Sequence, residues 1–148
     1  MCVALACTAV GCHWGLMGVV FLGGRADGPY RAGTLAEELG PERTRTLGCL
    51  DLALAMDADL LDVHVGNRCG HPEVFDLSKV AIDADPSRDV SLDDPRSEIV
   101  PLHVGGAERG HERVRLVGAW GASRLCFRLE GVAPDAPDAH PSPICIVP

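Results

Sequence analysis

The stretch CLDLALAMDADLLDVHVGNRC, residues 49–69, decides the fold. Leu50, Leu52, Leu54 and Met56 fall on one side of a two-residue period, with Asp51, Ala53, Ala55 and Asp57 opposite. That period is a half-buried strand, although Leu and Ala alone would also suit a helix. Leu61, Val63 and Val65 then alternate with Asp62 and His64 until Gly66-Asn67 breaks the run. Two such runs in sequence predict an antiparallel hairpin. It brings Cys49, which opens the first, nearly opposite Cys69, which closes the second.

Further apolar alternation continues downstream. The run 73–84 carries Val74, Phe75, Leu77, Val80 and Ile82, and its slip near Ser78-Lys79 suggests a bulge. Val90 with Leu92, then Ile99, Val100 and Leu102, then Val114 with Leu116, then Leu125, Phe127 and Leu129 complete about seven short strands. Turn residues separate them. The expected class is all-β, an antiparallel immunoglobulin-like β-sandwich. The likeness is architectural, since no Trp lies midway between a Cys pair and no Tyr stands two residues before the second Cys. Upstream, residues 27–46 read as a linker with one short helix, Thr34 and Glu37 having capping-box spacing and Gly40-Pro41 forming the stop. Residues 47–148 form the β domain, ending in a Pro-rich strap held by Cys145.

Residues 1–24 carry no formal charge and are mostly apolar. As a helix they would extend ~36 Å, enough for a bilayer. Residues 1–26 are therefore expected to be an export or anchor helix. Three routes fit: a secretory signal cut after Gly24-Arg25-Ala26, a lipoprotein signal with Cys7 or Cys12 as the acylated residue, or an uncleaved anchor. Each lacks the basic n-region. A buried core helix is the alternative, but it would need protein on every side.

Seven cysteines is an odd count. Cys2, Cys7 and Cys12 belong to the apolar segment, leaving the even set Cys49, Cys69, Cys126 and Cys145. Four cysteines allow three pairings. Strand placement favours Cys49–Cys69 and Cys126–Cys145, which require an oxidising compartment. Buried reduced thiols are one alternative, and zinc held by His64, Cys69 and His71 with Cys49 is the sharper one. No CxxC spacing supports zinc.

The strings GCLDLAL (48–54), VGNRC (65–69), VFDL (74–77) and DPRSEIVPL (94–102), with Glu112 after Gly110 and Cys126 in a late strand, resemble a group of uncharacterised bacterial secreted or lipid-anchored domains. The resemblance covers residues 48–145. It implies an exported envelope protein with a small disulfide-bonded β fold, and no assigned activity.

A net charge of −8, from 13 basic and 21 acidic residues, excludes a nucleic-acid binder, since no stretch carries a basic stripe. No GxSxG elbow, phosphate loop, HExxH or dinucleotide glycine pattern is present. Acidic turns at Asp57, Asp59 and Asp62, at Asp83, Asp85 and Asp89, and at Asp93-Asp94 offer oxygen ligands for calcium, but Asp is also an ordinary turn residue. The loop DPRSE sets Asp94, Arg96 and Glu98 on one turn, either as an interaction loop or as a self-pinned turn. The expectation is a non-catalytic, exported cell-envelope domain without cofactor, binding another protein or envelope component. Its rival is a zinc, calcium or hydrolytic site built from His64, His71, Cys69 and the loop aspartates, which needs three of those groups to converge.

Overall fold

The structure, a computed structural model, describes residues 25–93 and 101–148, with side chains from Asp27 onward. The expected hairpin is at its centre. Leu50–Asp57 (β3) and Leu60–Asn67 (β4) pair antiparallel with Leu52 opposite Val65 and Leu54 opposite Val63. A two-residue turn joins them, with Ala58 in the left-handed region at φ 55°. Thr44–Leu47 (β2) adds to the far edge of β3 through the turn Gly48-Cys49.

The free edge of β4 takes Glu108–Val117 (β9), the longest strand. Two short strands share the outer edge of β9. Arg25–Pro29 (β1) runs beside residues 108–111, and Ser91–Asp93 (β7) beside residues 115–117. The result is one six-stranded sheet in the order β1-β9-β4-β3-β2, with β7 also on β9.

Two smaller sheets complete the architecture. Glu73–Phe75 (β5) pairs with Leu102–Val104 (β8), while Arg124–Arg128 (β10) lies between Ala81–Asp85 (β6) and Ile144–Ile146 (β11). All pairings are antiparallel. Leu52, Leu54, Leu61 and Val63 of the large sheet, Phe75 and Leu102 of one small sheet, and Leu125, Phe127 and Ile144 of the other bury into a single core. Each large aliphatic side chain so buried contributes ~2 kcal/mol.

The mostly antiparallel β fold agrees with the sequence, and its division into sheets differs. The expectation was about seven strands in a two-sheet immunoglobulin-like sandwich; the described residues form eleven strands in three sheets. The slip at Ser78-Lys79 is the point of departure. Leu77–Lys79 make one 3₁₀ turn, with Asp76 accepting from the Ser78 backbone N–H at 3.1 Å and from its hydroxyl at 2.6 Å. The turn passes the chain from one small sheet to the other, where a bulge would have kept it in one strand.

The stretch read as a linker also has more structure than expected. Thr34–Leu39 (α1) is the short helix, but Gly33 occupies its N-cap and no side chain caps it. Thr34 Oγ1 donates instead to the Arg31 carbonyl at 2.7 Å, and Glu37 pairs with Arg31 at 2.6 Å. Leu35 and Tyr30 bury against Ala53, so β3 is covered on both faces. The Tyr30 ring lies where a side chain at Gly66 would have to go, which explains glycine near the end of β4. The expected anchor helix over residues 1–26 lies outside the described residues, apart from the strand backbone of Arg25 and Ala26. Among the described residues no helix is long and apolar enough to cross a membrane.

Candidate functional site

Cys49 and Cys69 are disulfide-bonded, as are Cys126 and Cys145. The reason is register. Cys126 and Cys145 face each other across β10 and β11, Cα to Cα 4.0 Å. Cys49 sits in the β2–β3 turn, and its carbonyl accepts from the Arg68 N–H at 2.8 Å, which brings Cys69 alongside. The candidate lipidation residues Cys7 and Cys12, and the loop residues Asp94, Arg96 and Glu98, lie outside the described residues.

Of the groups proposed for a metal or hydrolytic site, the fold unites only some. Among the described residues, one trio of potential ligands lies within 4.8 Å of one another: Cys49, Cys69 and His71. Both sulfurs are bonded to each other, which weakens a thiolate site there. His64 lies elsewhere, on the outer face of the large sheet. Aspartates expected in loops pair with arginine instead of converging, two of them from within strands: Asp62 of β4 with Arg113 at 2.6 Å, Asp83 of β6 with Arg128 at 2.9 Å, and Asp59 of the β3–β4 turn with Arg115 at 3.3 Å.

Around the Cys49–Cys69 bond is a polar corner. Buried Asn67 donates to the His71 carbonyl at 2.7 Å and the Val104 carbonyl at 3.2 Å, and accepts from the Cys69 N–H at 2.9 Å. Buried Asp51 accepts from Tyr30 Oη at 2.8 Å and Thr46 Oγ1 at 2.7 Å, and pairs with Arg68 at 3.2 Å. Burial, then the Asp51 carboxylate, pushes the Tyr30 hydroxyl up to about 12. These groups are satisfied, as buried polar groups in a stable fold must be.

Glu73 is the exception in chemistry. It is buried at the start of β5, 3.1 Å from His71 Nδ1. Burial, then a hydrogen bond shared with Asp135, raises its pKa above the ordinary 4.5. A carboxyl with a raised folded pKa stabilises the fold most when protonated. That contribution is complete below about pH 4.5 and is lost as pH rises through the raised value. Stability therefore falls with rising pH in that window. Glu73→Gln keeps the hydrogen bond and removes this part of the slope, which urea midpoints for both proteins at pH 4, 6 and 8 will measure. Parallel midpoints would disprove the assignment.

On the outer face of the large sheet, His64 of β4 and His111 of β9 are register partners with ring centroids 5.7 Å apart. A bulge in β1 between Ala26 and Gly28 projects Asp27 toward them, and its Oδ2 lies 2.7 Å from His111 Nδ1. Burial, then His111, holds the His64 pKa below its ordinary value, while Arg113 holds Asp62 down. His64 was visible in the sequence; His111 and Asp27 as its neighbours were not, because the pairing of β1 with β9 has no local signal.

At one end of the sheet, Trp120 is 94% exposed in the turn between β9 and β10. Among the described residues, Val117 and Val147 are the other exposed large apolar residues. Trp120 lines a groove of about 500 Å³ with Met56, Leu116, Ala119 and Pro148. Arg88 Nη1 donates to the Trp120 carbonyl at 2.6 Å and steadies the turn. A Trp between Gly118 and Gly121 is the only sequence signal for this feature. No protein family, curated protein or solved structure matches this chain.

Proposed function

We propose that the chain is an exported domain of the bacterial cell envelope, reached through the apolar segment 1–26, that acts by binding a protein or envelope component and not by catalysis. The observation that carries this reading is the pair of disulfides. One joins the β2–β3 turn to the loop after β4 and the other joins β10 to β11, and such bonds persist in oxidising compartments. The apolar stretch 1–24 supports export independently. Trp120 supports a binding role, since Trp is enriched where proteins touch and is costly to leave in water.

Mass spectrometry of the native chain from its own host tests the proposal. The expected result is an N-terminus processed or acylated within residues 1–26, with four cysteines resistant to alkylation until reduced. Four cysteines that alkylate without reduction, in a protein recovered with the cytoplasm, would refute it.

A further inference from the structure

The cross-strand pair His64 and His111 has an arrangement that ordinary sheet packing does not require. Two imidazoles in register place two metal-binding rings side by side on one face of the sheet. We propose that His64 and His111 form a two-imidazole site for a late first-row divalent cation of the zinc or copper(II) type, with Asp27 as the positioning residue for His111. The inference does not depend on export and goes beyond the binding role proposed above.

Three features support it. The first is spacing. With metal–nitrogen bonds of about 2.1 Å, two imidazole ligands on one ion have ring centres about 5–6 Å apart. The two rings stand at 5.7 Å and are tilted by 33°. The second is the carboxylate. Asp27 accepts from His111 Nδ1 at 2.7 Å, so Nε2 is the nitrogen of that ring left for a metal. Carboxylate–histidine–metal chains use this arrangement to orient and strengthen the ligand. The β1 bulge that delivers Asp27 otherwise interrupts a short edge strand.

The third is the charge around the pair. Among the described side chains, two nearby cations are paired with carboxylates of their own. Arg113 takes Asp62 at 2.6 Å, and Arg109 takes Glu38 at 2.8 Å. His64 and His111 remain as neighbouring nitrogen donors on one face of the sheet. Among divalent ions imidazole suits copper and zinc over magnesium and calcium.

Isothermal titration of the full oxidised protein with zinc chloride, repeated with copper(II), tests the site. The expected result is one ion per chain. His64→Ala and His111→Ala each weaken binding at least ~10-fold, and Asp27→Asn weakens it about 10-fold. His71→Ala, beside the disulfide, leaves it unchanged. Zinc also raises the melting temperature of the parent protein and of His71→Ala, but not of His64→Ala. Copper(II) adds a spectroscopic readout: nitrogen hyperfine coupling from two imidazoles in the parent and from one in His111→Ala. Absence of stoichiometric binding at 100-fold molar excess of zinc, or binding that survives both single histidine variants, would overturn the proposal.

Discussion

Reduction of both disulfides is expected to lower the melting temperature by roughly 20 °C or more. The bonds close loops with sequence separations of 20 and 19 residues. On the chain-entropy account each contributes roughly 3 kcal/mol by restricting the unfolded chain. Together they supply about 6 kcal/mol, against a total of 5–15 kcal/mol typical of a folded domain. At about 4 °C per kcal/mol for a chain of this size, the shift is large. The two bonds differ in what they hold. Cys126–Cys145 ties β11, three residues long, to β10, and with it the tail that follows Arg128. Cys49–Cys69 ties the β2–β3 turn to the loop after β4. Cys126→Ser with Cys145→Ser should therefore expose the tail to protease before the rest of the domain unfolds. Thermal melts with and without a dithiol reductant measure the main effect. A shift under about 3 °C would show that the three sheets are held by the core alone.

The second large effect is expected from the core. Phe127 is fully buried on β10, opposite Ile82 on one side and Ile144 on the other. It belongs to the cluster in which all three sheets meet. Phe127→Ala leaves a cavity that rigid neighbours on flanking strands cannot fill, and costs about 3–5 kcal/mol. Val117→Ala, at a position 49% exposed on β9, is the matched surface control and stays within about 0.5 kcal/mol. Urea unfolding of the three proteins gives the comparison. A loss below about 1 kcal/mol for Phe127→Ala would mean that the sheets adjust around the gap, contrary to a single close-packed core.

Much of this fold was legible because its strands are half-buried. Leu61, Val63 and Val65 of β4 alternate with Asp62 and His64 as a strand with one face on the core must, whereas in β3 Asp51 and Ala53 are buried as well, under Tyr30 and Leu35. The Cys49–Cys69 pairing followed from the hairpin that this alternation predicts, and Cys126–Cys145 joined the two cysteines that were left. Other elements left no such trace. Arg-Ala-Asp-Gly-Pro at 25–29 is a poor strand by composition, and it becomes β1 because β9 offers an unpaired edge there. Polar residues Asp51 and Thr46 look solvated in one dimension, yet Tyr30 and Arg68 arrive from distant segments to bury and satisfy Asp51.

The candidate sites divide in the same way. His64, His71 and Cys69 were recognisable as residue types, and the sequence placed them close enough to suggest one ligand set. In the fold, Cys69 is closed in its disulfide beside His71, while His64 faces His111 and, beyond it, Asp27, 37 residues before His64 in the chain and 84 before His111. Periodicity alone determined that this protein is antiparallel β and that its four downstream cysteines form an even, pairable set, because burial of one face and cysteine parity are local properties of the chain. Which strands are neighbours, where the chain changes sheets, and which histidines meet were decided only by the tertiary structure, since contacts across a sheet join residues that no local pattern relates.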